Sequence, residues 1–134
     1  MRKHLGKRDK VIIRYPNWLN LLPSLCGKHV LKIGVQNTDS IIAITSSRPE
    51  SLNCVGDRTN IKEMPSVKYY KTIGEVPIKQ FDIIILDEPS FLASCKSVYE
   101  VKKILSCISE VIGERGAVII CLPDTLVASL RCRY

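Results

Sequence analysis

Residues 81–87 read Phe81-Asp82-Ile83-Ile84-Ile85-Leu86-Asp87, four consecutive aliphatic side chains bracketed by acids. A half-buried strand alternates apolar and polar residues, whereas a short continuous apolar run fits a parallel strand covered on both faces. Downstream, Val98, Val101, Ile104, Leu105, Ile108, Val111 and Ile112 recur at three- and four-residue spacing, the stripe of an amphipathic helix. Ser97 and Glu100 hold the two positions of a capping box that starts this helix. Gly113 or Gly116 ends it. Ala117-Val118-Ile119-Ile120-Cys121-Leu122 then reads as a second buried strand. Strand, long helix and strand form a crossover unit, which requires parallel strands and is right-handed in nearly all sheets.

Working upstream, residues 16–25 predict a short helix capped by Asn17 and closed near Pro23, followed by a Gly27-Lys28 turn. His29 to Val35 is a core strand. Residues 38–50 predict a helix opened by Thr38 or Asp39 and ended before Pro49. Ile41, Ile42 and Ile44 would suit a strand as well, but a parallel neighbour needs a crossover there. Residues 52–55 and 67–71 are further strands. This succession predicts an α/β protein with a Rossmann-like, doubly wound parallel sheet in the order 3-2-1-4-5, with strand 81–87 central.

A chain of 134 residues fits one domain, and 46% apolar with 25% charged residues is globular composition. No apolar run reaches the roughly 18–20 residues that span a bilayer. The basic N-terminus lacks a signal-peptide core, because Arg14 interrupts after Val11-Ile12-Ile13. The expectation is a cytoplasmic protein with reduced cysteines. None of its six cysteines forms a C-x-x-C pair, and neither His4 nor His29 stands at metal-ligand spacing from one.

The net charge of +7 belongs to the ends of the chain. Arg2, Lys3, Lys7, Arg8, Lys10 and Arg14 face a single acid, Asp9, and Arg131 and Arg133 add two cations near the C-terminus. Between residues 15 and 130 acids and bases balance at 12 each. The expected organisation is a basic arm over residues 1–14 and one domain over 15–134. Such an arm, through Arg2, Lys3, Lys7, Arg8 and Lys10, can bind the phosphate backbone of RNA.

In doubly wound sheets ligands bind beyond the carboxyl ends of the strands. Gly34 to Asp39, Gly56-Asp57-Arg58 and Asp87-Glu88-Pro89-Ser90-Phe91 fall there. The stretch Phe81 to Phe91 is similar to the Phe-Asp-x-x-x-x-Asp-Pro-Pro-Ser-Phe segment of some ribosomal RNA methyltransferases. More broadly, residues 28–124 resemble a class I S-adenosylmethionine-dependent methyltransferase. Here His29–Val35 stands as its first strand, Val55-Gly56-Asp57 as its second strand with the terminal acid, and Ile108–Ile120 as its turn into strand five. The resemblance implies S-adenosylmethionine as cofactor, bound by Gly34 and Asn37 near the methionine moiety and by Asp57 at the ribose hydroxyls. It also implies a catalytic-face loop of Asp87, Glu88 and Phe91, with Phe91 stacking on adenine or a substrate base, and a methyltransferase-like activity on RNA.

The chain departs from that family in several places. Lys32 stands where the first motif has an acid, only Gly34 remains of its glycines, and Glu88 replaces the first proline of Asp-Pro-Pro. The sheet is expected to be truncated after strand five, leaving Ala117–Leu122 as an apolar edge. Such an edge predicts a homodimer or a protein partner that completes the sheet. Lys32 and the poor glycine loop favour a second reading, a noncatalytic Rossmann-like module that binds a partner protein or nucleic acid. Leu86-Asp87-Glu88-Pro89 is also similar to an ATPase motif, but no G-x-x-x-x-G-K-[ST] loop exists to cradle phosphates.

Overall fold

A computed structural model describes residues 11–14, 18–59, 61–77, 80–88 and 97–120. Six strands, all parallel, make one sheet: β1 (Val11–Arg14), β2 (His29–Ile33), β3 (Ser51–Val55), β4 (Lys68–Tyr70), β5 (Phe81–Leu86) and β6 (Ile112–Ile120). Their spatial order is β1-β6-β5-β2-β3-β4. Read over the five strands expected from sequence, this is 3-2-1-4-5, with β5 between β2 and β6 at the centre.

Strand alternation divides the core into two layers. Leu31, Ile33, Val55, Phe81, Ile84, Leu86, Val118 and Ile120 face one side, covered by helix α2 (Val98–Val111) through Val101, Ile108 and Val111. Val30, Leu52, Cys54, Ile85 and Ile119 face the other, where helix α1 (Thr38–Ser46) contributes Ile41 and Ile44, and Leu25 closes the layer. Burial on both faces explains why β5 is an unbroken apolar run.

The Ser97 cap opens α2 as expected, whereas α1 is capped by Asn37 rather than by Thr38 or Asp39. The Ser97 side chain accepts the Glu100 amide, and Asn37 Oδ1 accepts the Ser40 amide at 3.2 Å. Residues 38–46 are helical rather than extended, but α1 stops at Ser46, two residues short of the end expected before Pro49. Arg48 takes φ +58° there, a left-handed C-terminal turn in place of a further helical turn. Trp18–Leu25 is a 3₁₀ helix with Pro23 inside it. The expected turn at Gly113 or Gly116 is absent, since α2 runs directly into β6 at Ile112. Phe81 pairs with Ile112 but Ile83 pairs with Ala117, so an irregular bulge absorbs these glycines. A Cβ on Gly116 would lie 2.8 Å from the Phe81 carbonyl oxygen, which keeps that position glycine.

The edge of the sheet differs from expectation. Val11–Arg14 lies in parallel register with Ala117–Ile120, so β6 is not an edge strand. Charge alone groups these four residues with the arm, but three of them are β-branched aliphatics and extend the sheet instead. The open edge that motivated a homodimer or a sheet-completing partner is therefore paired from within the chain. Leu122 and the tail from Pro123 to Tyr134 lie outside the described residues, as do residues 1–10. Among the described residues no helix is long and apolar enough to cross a membrane.

Pairing the first strand with the last makes a specific prediction for truncation. Deleting residues 1–10 leaves the thermal unfolding midpoint unchanged. Deleting residues 1–14 uncovers β6, lowers the midpoint and produces concentration-dependent association in sedimentation velocity. Equal midpoints and a monomer for both deletions would show that β1 contributes nothing to the sheet.

Candidate functional site

The carboxyl ends of β2, β3 and β5 define the rim where a ligand is expected, and the side chain that organises it is Lys32. As the fourth residue of β2 it is fully buried (0% exposed), in register with Ile85 on β5 and Cys54 on β3. Removing an ammonium from water costs several kcal/mol, even after relaxation, unless oxygens replace the water. Three do so here. Lys32 Nζ donates to the Gly34 carbonyl at 2.9 Å and to Glu88 Oε2 at 2.8 Å, and lies 2.9 Å from Asp87 Oδ1. The Asp87 contact is one of charge alone, because neither of its buried oxygens accepts an aligned hydrogen bond.

Glu88 extends this cluster across the loop that leads into α1. Its Oε2 also accepts the Asn37 amide at 3.0 Å, and its Oε1 accepts the Gln36 amide at 3.3 Å. These amides precede the first turn of α1, where the helix dipole favours a negative charge. The carboxylate lies directly against Gly34, whose φ of +107° suits glycine alone. A Cβ built at Gly34 would stand 2.5 Å from Glu88 Cδ. The glycine cradle, the backbone amides beside it and the buried lysine thus converge on one anionic group supplied by the chain itself.

The sequence-predicted residues separate accordingly. Gly34, Asn37, Asp87 and Glu88 meet in one cluster. Asp57 stands further along the rim, past the end of β3, and is exposed. Its Oδ1 accepts the Thr59 hydroxyl at 2.6 Å and the Thr59 amide at 2.9 Å. Those hydrogen bonds, with the charge of Lys71, hold its carboxyl below the usual carboxylate range. Gly56, Asp57, Arg58, Thr59 and Lys71 line an open pocket of about 260 Å³. Gln36 bridges the two parts of the rim by donating to the Asp57 carbonyl at 3.3 Å. Phe91 lies outside the described residues. Lys32, read from sequence only as a departure from a motif, is the hub; its position inside an apolar strand was the available signal. Cys54 is the member that sequence reasoning missed. Among the described residues no group of His, Cys, Asp and Glu could hold a metal ion.

No family model matches the chain, and neither does any curated protein. Solved structures do. The chain is similar to the Trypanosoma brucei PRMT1 enzyme–prozyme heterotetrameric complex with AdoHcy, at TM-score 0.54 and 16% identity over 79% of this chain and 37% of that one. It is also similar to a putative type II methyltransferase from Anaeromyxobacter dehalogenans, at TM-score 0.55 and 13% identity over 90% of this chain and 55% of that one. The protein has a class I methyltransferase-like fold. It spans about a third to a half of the length of these neighbours.

S-adenosylmethionine does not fit the cradle as built. The loop that would meet its methionine moiety is in contact with the Glu88 carboxylate, and Lys32 places a positive charge where the family has an acid.

The packing beside Lys32 predicts how Cys54 behaves. Burial pushes its thiol from 9.0 up to about 12; Lys32 pulls it down, while Glu88 and Asp87 push it further up. A thiol raised in the fold favours the folded state fully below pH 9, and this contribution is lost as pH rises from about 9 toward 12. Native iodoacetamide labelling at pH 8 should therefore modify the exposed Cys26 and leave Cys54 untouched until the chain unfolds. Above pH 9 stability should fall more steeply in the native sequence than in Cys54→Ala. Equal labelling of both cysteines, or equal slopes, would contradict the packing.

Proposed function

We propose that this protein is a noncatalytic module of methyltransferase fold that binds RNA through its basic N-terminal arm and works without S-adenosylmethionine. The observation that carries the reading is the Glu88 carboxylate on the Gly34 cradle, held by Lys32 and by the Gln36 and Asn37 amides. A cofactor carboxyl or amino group entering the cradle would have to break these charge-assisted bonds and leave Lys32 buried with only Asp87 and the Gly34 carbonyl beside it. The arm supplies five cations against one acid in residues 1–10, enough for salt-dependent attachment to a phosphate backbone.

A second reading has its own support. Asp57 and its open pocket stand where the resemblance puts the ribose hydroxyls, and one structural neighbour is a complex with AdoHcy. On that reading Glu88 is displaced, the cofactor binds, and the protein is a methyltransferase acting on RNA.

Calorimetric titration separates the two. The native chain should give no saturable heat with S-adenosylmethionine or its demethylated product. The pair Lys32→Asp with Glu88→Pro, which restores the family's residues at both positions, should open the cradle and bind. Saturable binding by the native chain, lost in Asp57→Ala, would favour the second reading and overturn the first.

A further inference from the structure

The surface of α2 away from the sheet carries an unusual combination. Its apolar side is spent on the core through Val101, Ile108 and Val111, with Ile104 and Leu105 packed beside them. On the opposite side Tyr99, Lys102, Lys103 and Ser106 are exposed, and the adjacent Lys102 and Lys103 each stand three or four residues from Tyr99 and from Ser106, so the four share one stripe. Tyr99 is 75% exposed, a large aromatic ring outside both core layers. Two lysines follow it within about one helical turn, ~5.4 Å along the axis. Of the acids on this helix, Glu100 follows Tyr99 directly and stands three residues before Lys103, and Glu110 lies two turns beyond Lys103.

Topology links this stripe to the arm. The arm joins the sheet at Val11, which pairs with Ala117, and the exposed Arg115 precedes Ala117 by two residues on the neighbouring strand. Glu114 beside it is also exposed. Helix α2 ends at Val111, immediately before β6, so its C-terminal end and the root of the arm share one end of the sheet. From there the helix runs back toward the ligand rim, carrying Lys103, Lys102 and finally Tyr99.

We propose that this face of α2 is a docking surface for single-stranded RNA, with a base stacked on Tyr99 and the adjoining phosphates paired with Lys102 and Lys103. The inference rests on the reading of the chain as an RNA-binding module and names where, beyond the arm, the strand lies. A π-face beside cations is the combination that holds unpaired nucleotides, since stacking tolerates any base and the lysines need only phosphate. A duplex would hide its base faces, so the surface selects single strands.

The test is fluorescence anisotropy of a labelled single-stranded RNA about a dozen nucleotides long, titrated at several salt concentrations, with circular dichroism confirming each fold. Tyr99→Ala should weaken binding about 5- to 100-fold without changing the salt slope, and Tyr99→Phe should bind as the native chain does. Lys102→Gln with Lys103→Gln should flatten the slope by about 1.4. Unchanged affinity in Tyr99→Ala overturns the surface. If deletion of residues 1–10 abolishes binding in that case, the RNA-binding reading stands and only the α2 surface falls. No binding by the native chain overturns both.

Discussion

An ammonium group buried in the middle of a parallel sheet has to be answered by oxygens, and the answer given to Lys32 shapes everything around it. The Gly34 carbonyl, Glu88 and Asp87 all lie within 2.9 Å of its nitrogen, and they come from the ends of the two central strands, β2 and β5. Glu88 then reaches on to the amides ahead of α1, so one charge network joins two strands and a helix start. The cluster has one cation and two carboxylates, and Asp87 is left with no aligned hydrogen bond. Such a network is costly to break and is weak support for stability when compared with apolar packing. Its effect is to fix where the Glu88 carboxylate sits.

That position determines what the rim can do. In a methyltransferase-like fold the glycine turn after the first core strand is the place where backbone can approach a ligand closely, and here the approaching group is a side chain of the protein. Lys32 and Glu88, two places where the sequence departs from the family it resembles, meet in one contact. Asp57 and its pocket persist beside the filled cradle. Nucleic-acid binding, by contrast, needs no cradle. The binding proposed above would draw on the arm and on the surface of α2 that the core leaves exposed.

Much of this was legible in the residues because the decisive signals are local. The unbroken run in β5, the stripe and capping box of α2, and the turn at Gly34 each follow from covalent structure and burial, while the order 3-2-1-4-5 followed from the succession of strands and helices as a doubly wound sheet. The isoleucines of α1 pulled toward a strand, and only the need for a crossover decided for a helix. What was hidden was nonlocal. Nothing in Val11-Ile12-Ile13-Arg14 says that it pairs with a strand a hundred residues later, and the cations around it suggest a solvated arm. Likewise Lys32 and Glu88 appear in sequence as two separate departures from a motif. Only the fold brings these two charges, 56 positions apart in sequence, to 2.8 Å. Cys54 carries no motif at all and enters the cluster through strand register.

Lys32 and Glu88 form one buried, interdependent unit, and a double-mutant cycle measures this directly. Lys32→Met strands two buried carboxylates and Glu88→Leu strands the lysine beside Asp87, so each single substitution should cost about 3–5 kcal/mol of unfolding free energy. The double variant, which removes the pair together, should recover much of that loss. A coupling energy well above 1 kcal/mol in urea unfolding is the predicted result. Simple additivity of the two single effects would contradict it, and with it the account of a cradle filled from within.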